Sequence, residues 1–299
     1  MIVSDLCVRL ANLCRGLRVK DGEFESKVDI LFFCHDVDRG VTLAGKAYAP
    51  LIDSVYEDMK NRGYNCATLA HPWSTKVGHA ASGRVISINR RYFRALILDR
   101  LCRYLRISVN KDAVVKALEF LIQRSGAKLI ITIGASPEIS QACHNLNLKH
   151  AELLHSVGYS KIEWNWESRE KESLPTYILS MDPLSTKTFS GLCSKGVRVL
   201  EVPHPFIKRF FLSKYKKEIP QEWRPKDIRV SDKRRILICL QWGYSGELLQ
   251  FDNILDNGLY PQIFNDLFKL TLDEIEWCLR LHPVQITDSA YTSHREVVI

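Results

Sequence analysis

The sequence predicts an α/β protein built on parallel sheets in two domains, the second of them incomplete. Three observations carry that prediction. Short apolar, β-branched runs recur along the chain, among them VDILFFC at 28–34, LIITI at 129–133 and RILICLQ at 235–241; runs of this kind mark strands buried on both faces. Helical patterns separate them, giving the β-α-β order that produces a parallel sheet with helices on both faces. Between 206 and 234 the chain turns basic and Pro-punctuated, with little apolar periodicity, before strand-like sequence resumes.

In chain order, residues 2–18 space Ile2, Leu6, Leu10, Leu13 and Leu17 as one helical stripe, which suits a helix packed on its own domain or one lying on a membrane surface. The strand at 28–34 runs into the polar stretch His35-Asp36-Val37-Asp38-Arg39-Gly40. A helix is expected over about 49–62, ended by Gly63, then a strand from Cys66 to Leu69 that stops at His71-Pro72-Trp73. Residues 74–86 read as a loop. From 87 to 111, Arg90, Arg91, Arg94, Arg100, Arg103 and Arg106 alternate with apolar residues. That pattern is either a solvated helix face or an arginine-rich surface for anionic lipid.

A helix over 112–125 leads into the organising unit, 127–160. Leu129–Ile133 is a strand, Gly134 breaks it, and Ser136-Pro137-Glu138 supplies a cap, a first-turn proline and an early carboxylate for the next helix. That helix ends at 145–147, and Ala151–Leu154 forms a strand with His155 at its carboxyl end and Gly158 and Tyr159 just beyond. In open parallel sheets ligands bind outside the carboxyl ends of the strands. Residues 162–173 read as irregular, 176–180 as a strand, 185–195 as a helix and 197–202 as a strand. The first domain is thus 1–205, the linker 206–234 with a short helix, and the second domain 235–299. There a Gly-containing turn at 242–246, a helix at 260–270 and a strand at 275–281 follow the first strand.

A chain of 299 residues suits two domains. With 46% hydrophobic and 25% charged residues it has a globular composition, not a disordered one. The net charge of +8 fits anionic lipid or phosphate-bearing small molecules, and no nucleic-acid motif accompanies it, so nucleic acid is not expected as a partner. Nine single cysteines with no CxxC pair argue against zinc and for reduced thiols in a cytoplasm. Asp5 and Arg9 exclude a secretory peptide at 1–20. No apolar run approaches the ~20 residues of a membrane span. The expected location is the cytoplasm or the inner face of the cytoplasmic membrane.

Three local patterns resemble the GT-B-type glycosyltransferases of bacterial surface polysaccharides, the capsule and O-antigen enzymes. AELLHS, ending in His155, is similar to their E-L-x-H-G strand end, although Gly158 here follows the histidine by three residues. LPTYILS followed by VLEVPHP looks like the strands entering their interdomain hinge, and WCLRLHP resembles the R-x-H-P strand end of their donor domain. The resemblance implies two Rossmann-like domains facing each other across a cleft, acceptor on the first and nucleotide-sugar on the second. It implies sugar transfer to a lipid-linked or growing surface glycan, with no cofactor beyond the nucleotide-sugar donor and no metal. It also implies that the donor half continues past residue 299. Two other readings share the architecture: a non-catalytic relative that binds glycan or a partner, and a sugar-nucleotide epimerase.

Sugar transfer with inversion needs a base for the acceptor hydroxyl and positive charge for the departing phosphate. The catalytic candidates are Asp36, Asp38 and His155, since a carboxylate near a histidine orients it and tunes its pKa. Asp36 is favoured for its position next to the strand end, while HDVDR also reads as a cluster capping its own backbone. Gln241, Gly243, Ser245, Arg280 and His282 are the donor candidates: the turn offers backbone N–H groups, and Arg280 and His282 would face the diphosphate. His35, Arg39, Lys46, His71 and Trp73 are the acceptor candidates. Trp73, Trp164 and Trp166 are of the type that stacks on a sugar face or simply packs.

Overall fold

The computed structural model describes residues 26–83, 85–87, 90–104, 112–134, 136–209, 234–239 and 275–280, with positions 11, 14 and 24. The chain divides into two compact units, Met1–Arg224 and Pro225–Ile299.

In the first unit the strands are β1 (Ile30–Phe33), β2 (Val41–Leu43), β3 (Lys46–Tyr48), β4 (Cys66–Ala70), β5 (Val85–Ser87), β6 (Leu129–Thr132), β7 (Lys149–Leu153), β8 (Tyr177–Ser180) and β9 (Arg198–Glu201). The helices are α1 (Pro50–Asn61), α2 (Arg90–Tyr104), α3 (Asp112–Ser125), α4 (Pro137–Asn145), α5 (Pro183–Phe189) and the single turn α6 (Pro205–Ile207). Seven strands form one sheet in the order β5-β4-β1-β6-β7-β8-β9, every neighbouring pair parallel. The chain therefore starts at the middle, builds outward through β4 and β5, then returns beside β1 to build the other way. This is the Rossmann order with one strand added, and its direction reverses between β1 and β6. Phe33 is level with both Leu69 and Thr132. The residues that follow β1, β4 and β6 therefore emerge side by side.

The alternation of side chains sorts the core onto two faces. Leu31, Phe33 and Ile130 face one way, against Leu118, Leu121 and Ile122 of α3 and Ile139 and Ala142 of α4. Ile30, Phe32, Ile131 and Leu153 face the other way, against Ile52 and Tyr56 of α1. A third cluster under the far end of the sheet gathers Leu154, Trp166, Ile178, Phe189 and Leu192. Beyond α6, Arg209 donates to Tyr48 Oη at 2.8 Å and pairs with Glu57, so the start of the basic segment packs on α1.

The structure departs from the sequence reading at three places. The 74–86 stretch read as loop runs into a short edge strand, β5, whose three residues are too few for periodicity to reveal. The polar stretch after β1 is a 3-10 turn, Asp36–Arg39, followed by the hairpin β2–β3. The hairpin turns through Ala44 and Gly45, both at positive φ (50° and 74°), the geometry that matches strand twist. The helix expected at 185–195 begins at Pro183 and tightens to 3-10 at Ser190–Lys195. In the second unit, β10 (Arg234–Cys239) and β11 (Ile275–Arg280) pair in parallel, Arg234 opposite Ile275.

Below the hairpin, Arg39 (2% exposed) donates to Asp53 Oδ2 at 2.8 Å, and Asp53 (0% exposed) also accepts from the Ala49 N–H at 2.9 Å. The pair bolts the 3-10 turn to the first turns of α1. Removing one partner strands a buried charge. Asp53→Ala is expected to lower the unfolding free energy by about 3–5 kcal/mol in urea denaturation.

Candidate active site at the sheet switch point

The three strand ends at the reversal are joined by polar contacts. The Gly134 C=O lies 3.0 Å from His35 Nε2. A carbonyl only accepts, so Nε2 carries the proton and, in the neutral ring, Nδ1 is an acceptor. His71 Nε2 sits 3.0 Å from that Nδ1 and so is the donor. The His71 ring stacks on Trp73 at 4.6 Å and 6°. On its other side Gly134 gives its N–H to Glu152 Oε1 at 2.5 Å. Gly134 is at φ +71°, and a Cβ there would meet the His35 ring at 3.0 Å. Both constraints favour glycine.

Glu152 is a buried carboxylate (3% exposed) between Ala151 and Leu153 on β7. Besides the Gly134 amide it accepts from Thr132 Oγ1. That hydroxyl has spent its one proton, so it accepts from His150 Nε2 at 2.7 Å, while His150 Nδ1 takes the proton of Ser140 Oγ at 3.1 Å. Burial pushes the His150 imidazole down to about 3. The chain Ser140–His150–Thr132–Glu152–Gly134–His35–His71 thus runs from α4 to the loop after β4.

Above it, Asp38 and His155 line one pocket of about 240 Å³ with Ala49, Pro50, Leu51, Ile52 and Ile133. Asp38 Oδ2 accepts from the His35 N–H at 2.9 Å, which holds the 3-10 turn. Burial raises the Asp38 carboxyl above its ordinary value, opposed by that hydrogen bond and by the His35 and His155 charges. Burial lowers His155, opposed by the Asp38 charge. Asp38 and His155 thus shift in opposite directions, each with the other's charge opposing the effect of burial. His155 stays open to solvent on one side, with Tyr159 Oη 3.1 Å from Nδ1 and 3.3 Å from Nε2.

The other predicted residues fall as follows. Both Asp36 oxygens are engaged: Ser74 Oγ donates to Oδ1 at 2.5 Å, and the Thr75 N–H to Oδ2 at 2.9 Å. This carboxylate ties the loop after β4 to the turn after β1. His35, His71 and Trp73 come together as described, whereas Lys46 stands exposed on the hairpin and Arg39 is buried on Asp53. Arg280 ends β11; Gln241, Gly243, Ser245 and His282 lie outside the described residues. Sequence reasoning passed over Gly134 and Glu152 as site residues. The signal for Glu152 was a carboxylate at an inward position of a buried strand. Among the described residues no group of three His, Cys, Asp or Glu side chains is arranged to hold a metal ion.

No family model and no curated protein matches the sequence. Among solved structures, the chain is similar to the spinosyn rhamnosyltransferase SpnG complexed with thymidine diphosphate, at 13% identity over 91% of this chain and 68% of that one, TM-score 0.45. It is also similar to the glycosyltransferase SnogD from Streptomyces nogalater, at 14% identity over 86% and 67%, TM-score 0.40. A third is the wall teichoic acid polymerase TagF, at 16% over 96% and 65%, TM-score 0.44. At these values the comparisons assign no activity to this chain.

Two expectations follow from the buried network. Gly134→Ala should destabilise the chain by about 1–2 kcal/mol through the left-handed backbone alone and displace His35, visible as a lowered melting temperature and a shifted His35 ring signal in NMR. His150 is neutral when folded and titrates near 6.5 when unfolded. Its contribution is therefore complete above that pH and declines as pH falls toward about 3, with a slope of up to about 1.4 kcal/mol per pH unit. His150→Gln should flatten the fall in urea midpoint between neutral and acid pH.

Proposed function

We propose that this chain transfers a sugar from a nucleotide-sugar donor to a hydroxyl of an acceptor glycan, lipid-linked or growing at a surface, with His155 as base and Asp38 as its partner. The observation that carries this reading is that Asp38 and His155, from two different strand ends, line a single pocket at the sheet's reversal point. In such sheets that crevice is where ligands sit. The acceptor O–H gives its proton to a ring nitrogen of His155, the freed oxygen bonds to the anomeric carbon, and the bond from that carbon to the nucleoside diphosphate breaks. Asp38, ionised, stabilises the imidazolium that results. This assigns proton removal to protein groups rather than to a metal. Asp36, with both oxygens already engaged, is read as a tie between loops.

Gln241, Gly243, Ser245, Arg280 and His282 are assigned to the donor, whose diphosphate needs N–H groups and cations. The motif resemblances at AELLHS and WCLRLHP support the same reaction class. A peripheral contact with anionic lipid is read from α2. Arg91, Arg94, Leu98 and Leu101 recur at helical spacing on its exposed side, the two leucines 53% and 51% exposed. Such a stripe pairs charge attraction with apolar insertion. No described helix is long and apolar enough to cross a membrane.

His155→Gln should lower transfer from a nucleotide-sugar by about 100-fold or more with folding intact. Because burial holds His155 below its ordinary value, the acid limb of kcat/KM should lie below pH 6.5. Since the Asp38 charge raises His155, Asp38→Asn should move that limb to still lower pH. An acid limb unchanged in the Gln variant would remove His155 from the base role.

A further inference from the structure

Beside the pocket stands an aromatic cluster that proton transfer does not use. Trp164 has its ring centroid 5.6 Å from His155 and 5.6 Å from Tyr159, and it stacks on buried Phe189 at 6.3 Å and 24°. Trp166, also buried, lies 5.2 Å from it. Despite this packing, 41% of Trp164 is exposed.

The backbone holds it there under strain. Trp164 and Asn165 are consecutive non-glycine residues at positive φ, 58° and 55°. A bulky residue in that region is an outlier that persists only where its surroundings over-determine it. The surroundings do so here. Arg169 Nη2 donates to the Trp164 C=O at 3.1 Å, and the Ser168 N–H to the Asn165 C=O at 3.2 Å. The loop before it is pinned as well: the Gly158 N–H donates to Asp182 at 3.0 Å, the Tyr159 N–H to Ser185 Oγ at 3.0 Å, and Thr188 Oγ1 to the Tyr159 C=O at 2.8 Å. A half-exposed indole is thus fixed rigidly within one ring's reach of the proposed base.

The local charge says what such a surface accepts. The carboxylates around it are Asp38, Glu152 and Glu163; the last two act on Tyr159 and raise its hydroxyl together with burial. The nearby cations are Arg169, which donates to the Trp164 carbonyl and lies over the Trp166 ring, Lys195, which donates to the Glu167 and Arg169 carbonyls, and Lys161, 3.7 Å from Glu163. On the indole itself a nucleoside diphosphate would meet these carboxylates at a cost. A neutral polyol would not, because its hydroxyls donate to carboxylates and its C–H face carries the slight positive charge that an indole face attracts.

We infer that Trp164 is the stacking platform for a neutral pyranose ring of the acceptor, placing one of its hydroxyls at His155. The inference rests on the transferase reading, but binding can be measured without turnover. Methyl glycosides of glucose, galactose, mannose and N-acetylglucosamine are titrated into the full chain and followed by saturation-transfer NMR, with thymidine diphosphate in parallel. At least one glycoside should bind, with saturation strongest on ring C–H protons. Trp164→Ala should weaken it about tenfold, the scale of one aromatic contact, while Trp164→Phe restores part of the loss. His155→Gln should bind it within about twofold, since stacking is retained, while losing transfer. No glycoside binding to the wild-type chain, or equal binding to Trp164→Ala in a folded variant, overturns the inference. So does thymidine diphosphate binding that Trp164→Ala removes. Trp164-dependent glycoside binding with no transfer from any nucleotide-sugar upholds the subsite and rejects the transferase reading alone.

Discussion

Gly134 is the hinge of the site. Its N–H is held by Glu152 and its C=O by His35, so one residue couples the end of β6 to β7 on one side and to β1 on the other. Parallel strands leave their last backbone groups unpaired at the carboxyl edge, where they need other partners. Here the partners are ionisable side chains. The positive φ at Gly134 turns the carbonyl toward His35, and the absent Cβ lets the ring approach. The tautomer of His35 follows from that arrangement.

The carboxylates of the first unit are separated by environment into distinct tasks. Asp53 is sealed with Arg39 and holds the hairpin turn to α1. Asp36 is saturated by Ser74 and Thr75 and fixes the next loop. Asp182 caps α5, accepting from the Ser185 N–H at 2.9 Å, and also holds Gly158. Glu152 is consumed by the backbone and Thr132. Asp38 keeps one backbone hydrogen bond and borders a pocket. A reactive carboxylate needs residual capacity to exchange a proton, and of these five only Asp38 faces a histidine across open space. The same reasoning makes His150, buried and satisfied at both nitrogens, a structural group, while His155 is the proposed base.

Much of the fold was legible. The strands at 28–34, 66–69, 129–133 and 176–180 and the helices at about 49–62 and 112–125 declared themselves because burial on both faces demands continuous apolar runs and one-sided burial demands helical spacing. The hairpin β2–β3 and the edge strand β5 did not, since three residues carry no period. The site was legible in part. Histidines and aspartates at strand ends could be noticed, but Asp36 and Asp38 are two residues apart in the same motif, and only the side chains arriving from 74–75 and from 155 distinguish them.

Composition, periodicity and strand-end residues were enough to determine that this is an α/β chain with a parallel sheet, because those signals depend on neighbours in sequence. Which strand lies beside which, which aspartate is spent, and why a tryptophan stands exposed next to a histidine were decided by tertiary contacts between residues tens of positions apart. Hydrogen-bond capacity and desolvation belong to a place in the fold, and no local stretch of sequence records them.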